Sequence, residues 1–237
     1  MITLETTLSD VIQRAEGVKS FRFKVGKPTS FLAGQFFFVT IRINGEERTK
    51  HFSFSNSPTE ARYIEFTKRI TSSEYSTALD TMKVGDWARL KLPLGAFTLE
   101  NERSKIAFLS GGIGITPIRS MIKYVVDTKL QTDIVLLYSN RTEDQIIFRG
   151  DFDEMQNASA NIRIVYTLTS KELNKASWNG RTGYVNEGMI KEEIPDYLER
   201  VFYVCGPPAM VNGMMDILKN KLSISQDNLK SENFTGY

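Results

Sequence analysis

The texture of this chain changes once, near Glu100 to Ser104, and that change constrains the fold more than any other feature. Before it come short β-rich segments, Val18 to Val25, Gln35 to Ile43, His51 to Ser55, Tyr63 to Lys68 and Trp87 to Leu92. Turn signals separate them, among them the hairpin-type pair Asn44-Gly45, and one short helical stretch lies around Ser76 to Met82. This spacing predicts a small antiparallel barrel or sandwich. After it, apolar strands alternate with helices: Ile106 to Leu109 then Pro117 to Val126, and Ile134 to Tyr138 then Phe148 to Met155. Ile162 to Leu168 follows, then Val201 to Val204 leading into Ala209 to Leu218. Such alternation implies right-handed crossovers onto a parallel sheet. A chain of 237 residues, 41% of them hydrophobic, supplies two cores of ordinary size, so two domains are expected, 1–101 and 102–237.

Composition removes several function classes. The single cysteine, Cys205, builds neither a disulfide nor a four-thiolate iron–sulfur cluster within the chain. With His51 as the lone histidine, a multi-histidine metal site is not expected either. Residues 1–100 carry 14 Lys/Arg against 11 Asp/Glu and residues 101–237 carry 16 against 17, a balance that does not point to nucleic acid. Met1 to Asp10 is polar and acidic, and there is no run of about 20 apolar residues; a soluble, cytoplasmic chain without a cleaved leader or transmembrane segment is expected.

Three motifs carry chemistry. Ser110-Gly111-Gly112-Ile113-Gly114-Ile115-Thr116-Pro117 follows an apolar strand and opens a helix, with Thr116 placed to cap it and Pro117 as its first residue. Glycines there let the backbone approach a pyrophosphate at the positive end of a helix, although a plain tight turn has the same pattern. Val204-Cys205-Gly206-Pro207-Pro208-Ala209-Met210 is a second strand-to-helix turn, whose rigid corner should present Cys205 toward the ligand edge of the sheet. Against this stands the ordinary fate of a lone cysteine, burial in a core. Lys50-His51-Phe52-Ser53-Phe54-Ser55-Asn56-Ser57-Pro58 combines a cation for phosphate, an aromatic for a planar ring and a hydroxyl for a ring nitrogen; a half-buried strand reads the same way. His51, one place before Phe52, should point to the other sheet face.

The order of these motifs over nearly the whole chain resembles the ferredoxin–NADP reductase superfamily. The resemblance implies an antiparallel Greek-key flavin-binding β-barrel followed by a Rossmann-like parallel-sheet nicotinamide-binding α/β domain with a flavin-facing C-terminal tail. It implies that Phe52 lies on the flavin, that Ser53 sits near its N5, and that Lys50, with Arg48 nearby, replaces the usual arginine of the pyrophosphate clamp. Thr67 and Lys68 would run along the isoalloxazine, and Ser76 and Thr77 would offer hydroxyls and amides to the phosphates. Gly111, Gly112, Gly114, Thr116, Pro117, Gly206, Pro207 and Met210 would form the nicotinamide-binding turns. Ser139 and Arg141 would lie at the adenosine ribose, with Arg141 suited to the 2′-phosphate of NADP. Phe234 would stack on the flavin, with Tyr237 as its rival, and Glu232 and Cys205 would line the transfer path with Ser53.

The function implied is hydride transfer between NADPH or NADH and bound FAD, FMN being the lesser alternative, with electrons passed to a separate acceptor. Ferredoxin, flavodoxin and an oxygenase component all suit that role. Two rivals stand beside it, an electron-transfer subunit of a larger complex and a free-flavin reductase.

Overall fold

The computed structural model describes residues 1–27, 29–99, 104–172 and 178–234. The expected boundary at 101/102 lies outside the described residues. Two units form, one of Met1–Leu99 with Thr116–Thr128, the other of Glu100–Ile115 with Lys129–Tyr237. No helix of the described residues is long and apolar enough to cross a membrane.

The first unit is an antiparallel half-barrel. Its strands are β1 (Ile2–Ala15), β2 (Val18–Lys24), β3 (Phe36–Ile43), β4 (Glu46–Ser53), β5 (Tyr63–Arg69) and, after helix α1 (Glu74–Thr81), β6 (Trp87–Leu94). They lie in the order β4-β3-β6-β1-β2-β5. Alternation fixes the faces: Phe37, Val39 and Ile41 of β3 and Ala88, Leu90 and Leu92 of β6 point into one core with Phe21, Phe23, Phe54 and Phe66. The strand β1 is absent from the sequence expectation. Apart from Leu8 its residues are exposed or half-buried, so it lacks the apolar alternation that marks a strand. Register shifts at Leu8/Asp10 and Gln13/Ala15 let this one strand bend and serve both β6 and β2.

A polar layer backs β5. Glu65, with 1% of its side chain exposed, accepts from Arg22 Nε at 2.6 Å, Arg14 at 3.1 Å and Ser55 Oγ at 2.8 Å. Ser20 and Thr67 extend the chain of hydroxyls, 2.6 Å apart, and Thr67 donates to Ser55 at 3.0 Å. Helix α2 (Ile115–Thr128) is clasped to the same region from Thr116 onward. Arg119 donates to the Ser55 carbonyl at 2.9 Å and forks onto Glu60 at 2.6 and 3.2 Å, while Ser120 donates to the Asn56 carbonyl at 2.7 Å. Burial alone would raise the Glu60 carboxyl, but the Arg119 guanidinium and its hydrogen bonds hold it below the usual range.

The second unit is a six-stranded sheet, every pair parallel. Its strands are β7 (Lys105–Gly111), β8 (Asp133–Asn140), β9 (Ile162–Leu168), β10 (Arg181–Thr182), β11 (Val201–Gly206) and β12 (Leu229–Asn233), in the order β10-β9-β8-β7-β11-β12. Beyond α2, helices α3 (Arg149–Ala158), α4 (Glu187–Glu193) and α5 (Pro208–Asp216) make the crossovers. Strands buried on both faces read as continuous apolar runs, which is why β7, β8 and β11 were legible. The short β12, with only Leu229 buried, was not.

Candidate active site

The barrel end of the site is built on β4, an edge strand whose residues from Glu46 to His51 are all exposed. Arg48 is there an exposed cation paired with Glu46 at 2.5 Å, and Lys50 is exposed beside it. Lys68 on β5 is 6% exposed, and its ammonium is pushed down in pKa by burial and by the neighbouring Lys50 charge. Two cations held this close fit an anion such as a flavin phosphate. Ser53, at the end of β4, is buried at 7% exposure.

Phe52 departs from expectation. It is 5% exposed and its ring stacks on Phe66 at 4.1 Å, so it belongs to the barrel core and presents no open face to a planar ligand. The cause is register: within β4, Phe52 lies opposite Phe37 of β3, a core residue, so both rings point to the core face. His51 does lie on the outer side, packed with the rings of Phe36 and Phe38. The hydroxyl of Thr67 is spent in the buried network with Ser20 and Ser55. That of Ser76, fully buried, accepts the Thr71 amide at 2.8 Å and closes the local turn rather than facing a phosphate. Thr77 is exposed on α1.

At the carboxyl edge of the parallel sheet, β7 ends in Gly111 and passes through a 3-10 turn, Gly112–Gly114, directly into α2 at Ile115. Thr116 is therefore not the cap but a residue of the first helical turn, 1% exposed, with the buried Pro117 after it. The turn preceding the helix supplies what the cap would have. Gly112 has φ +52° and nothing within 4 Å of where a Cβ would stand, so a ligand can approach its backbone. A Cβ on Gly114 would fall 2.5 Å from the Cys205 carbonyl oxygen and from Gly206 Cα, and one on Gly111 would strike Met210 Sδ. Pro207 precedes the first residue of α5, locking the second turn against the first. The pair of turns makes the glycine cradle that a dinucleotide pyrophosphate requires.

Across the strand ends runs one row, Tyr138, Ser110, Cys205 and Glu232, each opposite the next in register. Cys205 is fully buried, contrary to its expected presentation toward the ligand edge, because β11 is flanked by strands on both sides. Burial, then the Glu232 carboxyl beside it, pushes its thiol well up, so it is no thiolate nucleophile. Glu232 is half-buried and its carboxyl is pushed up by burial to about 7, the range of a neutral-pH proton donor. Phe234 is 8% exposed, its amide donating to the Gly206 carbonyl at 3.0 Å. Tyr237 lies outside the described residues. Ser139 is half-buried at the end of β8, and Arg141 is exposed with no ion pair among the described residues. Thus Cys205, Glu232 and the two turns are brought together in the second unit, while Ser53, Lys50 and Lys68 belong to the first.

A cleft of about 510 Å³ opens at the opposite, amino edge of the sheet. Most of its charges pair within the protein, Arg200 with Asp133 and Asp196, and Arg163 with Glu193.

The shifted carboxyl gives a first expected result. A folded Glu232 holds its proton more tightly than an unfolded one, so its contribution to stability is intact below about pH 4.5 and lost as the pH rises through about 7. Glu232→Gln should flatten the decline in unfolding midpoint across that window, read by thermal denaturation at stepped pH.

Residues 5–99 match the oxidoreductase FAD-binding domain and residues 108–216 the oxidoreductase NAD-binding domain. The chain is 30% identical over 214 residues to NADH-cytochrome b5 reductase 1 of Aspergillus terreus, covering 84% of this chain and 71% of that one. It belongs to the ferredoxin–NADP reductase superfamily. The superfamily assignment brings with it FAD and NAD(P)H as the groups these domains hold. A further relative is the glycine betaine monooxygenase reductase subunit of Pseudomonas aeruginosa, 31% identical over 214 residues. That match covers 88% of this chain but 58% of the relative, so the chain spans little more than half the length of such relatives. Among solved structures, ferredoxin NADP+ reductase from Neisseria gonorrhoeae with bound FAD and NADP superimposes with a TM-score of 0.80 at 19% identity, covering 98% of each chain. The cytochrome b5 reductase domain of Ulva prolifera nitrate reductase gives 0.84 at 20% identity, covering 98% of this chain and 97% of that one. At such identities these two share the fold.

Sequence reasoning missed Lys68 as half of a lysine pair, Arg119 as the clasp of α2, and the state of Ser110 and Asn140. None has a local signature, since each depends on a partner, or the lack of one, set by the tertiary fold.

Proposed function

We propose that the chain is an FAD-dependent NAD(P)H oxidoreductase that hands electrons to a separate protein acceptor, an oxygenase component or a small carrier such as a ferredoxin or flavodoxin. One observation supports this reading above the rest: a glycine cradle lies beside a half-buried carboxyl whose pKa is near 7, at the ligand edge of a parallel sheet. FAD and nicotinamide, when bound, supply the hydride chemistry. The chain's own residues bind and orient. The backbone of Gly111, Gly112 and Gly114 receives the dinucleotide pyrophosphate, and Lys50 and Lys68 neutralise flavin phosphate. Ser53 offers a hydroxyl to the flavin ring. Glu232, protonated below about pH 7, holds a proton beside the reacting edge, and the neutral Cys205 thiol shapes the floor of the nicotinamide site. The separate acceptor fits the names of the relatives, a monooxygenase reductase subunit and a cytochrome b5 reductase.

The reading is tested by gel filtration of the purified chain, followed by assay with ferricyanide as acceptor. Yellow colour should co-elute and either NADH or NADPH should be oxidised. Flavin lost on the column would instead favour a free-flavin reductase, and flavin retained without oxidation an electron-transfer subunit.

Arg141 sets a further expectation. It follows β8 as an exposed cation, which supports its pairing with a 2′-phosphate. Arg141→Ala should lower kcat/KM for NADPH about tenfold, the worth of one charge-assisted contact, and leave NADH unchanged.

A further inference from the structure

Among the described residues, two buried side-chain polar atoms have no hydrogen-bond partner, Ser110 Oγ and Asn140 Nδ2. Buried polar groups are nearly always paired, so each exception calls for a cause. These two are neighbours in the architecture. Ser110 stands one residue before Gly111 at the end of β7, and Asn140 is the last residue of β8, the adjoining strand.

They also share a face. Ser110 lies opposite Tyr138, and Asn140 is two residues beyond Tyr138 on the same strand. With a side-chain period of two, all three point away from the apolar face of Ala107, Leu109, Val135 and Leu137. Tyr138 on that face is satisfied, its hydroxyl donating to the Gly112 carbonyl at 3.0 Å. The orphaned pair therefore flanks a residue that touches the glycine turn. Nor can Asn140 relieve itself by a backbone shift. Its carbonyl accepts the Thr169 amide at 2.9 Å and the Arg141 carbonyl accepts the Ser170 amide at 3.0 Å, which pins the strand end.

Resting on the dinucleotide reading above, we infer that Ser110 and Asn140 are hydrogen-bonding residues for the pyridine dinucleotide, Asn140 donating its amide, and Ser110 its hydroxyl, to ligand oxygens. Ser110 is fully buried and Asn140 is 5% exposed, so contact requires adjustment of the Gly112–Gly114 turn. Gly112, with open space beside it, permits that.

The two roles open to a buried polar side chain, structural or ligand-binding, predict opposite signs for stability. Replacing an unpaired polar group by an apolar one of similar shape does not cost stability, whereas breaking a structural bond does. Ser110→Ala and Asn140→Leu should keep or raise the unfolding midpoint without nucleotide, while each raises the Kd for NADH and NADPH about tenfold by calorimetry. Asn140→Asp, which keeps the shape but exchanges a donor for an anionic acceptor, should weaken binding at least as much. A lowered midpoint or failure to fold in Ser110→Ala or Asn140→Leu would overturn the inference, as would Kd values unchanged in all three variants. If the unsubstituted chain binds neither nucleotide, the underlying reading fails with it, an outcome distinct from selective failure of the variants.

Discussion

Gly114→Ala is expected to raise the Kd for NAD(P)H about a hundredfold, roughly 2.7 kcal/mol, while the barrel keeps its flavin. The added Cβ would stand 2.5 Å from both the Cys205 carbonyl oxygen and Gly206 Cα, and 2.7 Å from the Cys205 carbonyl carbon. All three atoms are backbone, and both segments are ordered strand or helix entry, so no flexible side chain can yield. Overpacking of this kind costs about 1–3 kcal/mol and is relieved only by separating the two turns. Separation is what a pyrophosphate cradle tolerates least, because its N–H groups must converge. Gly112→Ala makes the contrast: its Cβ meets nothing within 4 Å, and its penalty is about 1–2 kcal/mol of left-handed backbone at φ +52°. Calorimetry with both nucleotides should order the variants with Gly114→Ala the weaker binder. Equal loss in the two would mean that close approach of the turns is not what matters.

The largest stability effect should come from Glu65→Leu. Glu65 is the shared partner of Arg14, Arg22 and Ser55, and its removal takes the neutralising carboxylate from two guanidiniums beside the barrel core. Removing one partner of a buried pair costs about 3–5 kcal/mol. The lower end applies, since the Arg22 side chain keeps 26% of its surface in water and Arg14 16%. About 3 kcal/mol is a large part of a typical domain's stability, so the urea midpoint should fall markedly. Replacing Arg14 and Arg22 by Met in the same chain should restore much of it, because the cost lies in unpaired charge. If the triple variant is no more stable than Glu65→Leu, the network contributes something other than charge pairing.

How much of this was legible follows from how local each signal is. The apolar runs of β7, β8 and β11 and the glycines after them are consecutive residues, and the sequence places them within a residue or two. The polar β1 was invisible because its pattern lacks apolar alternation. Thr116 and Cys205 were misplaced for a shared reason. Local chemistry favoured a cap and an exposed corner, whereas a 3-10 turn and a flanking strand decided otherwise. Phe52 fell to the core because its ladder partner is Phe37, a core residue of β3, and that register is not written in the local sequence. The Arg119 clasp joins residues about sixty positions apart, and no spacing rule reaches that far.

The most direct test of the central claim is anaerobic stopped-flow mixing of the purified flavin-bound chain with NADPH or NADH. Flavin absorption should bleach within a single turnover, at a rate that saturates with nucleotide and is slowed by deuterium at nicotinamide C4. Flavin that stays oxidised with both nucleotides, in a chain shown to be folded and flavin-bound, would contradict that claim.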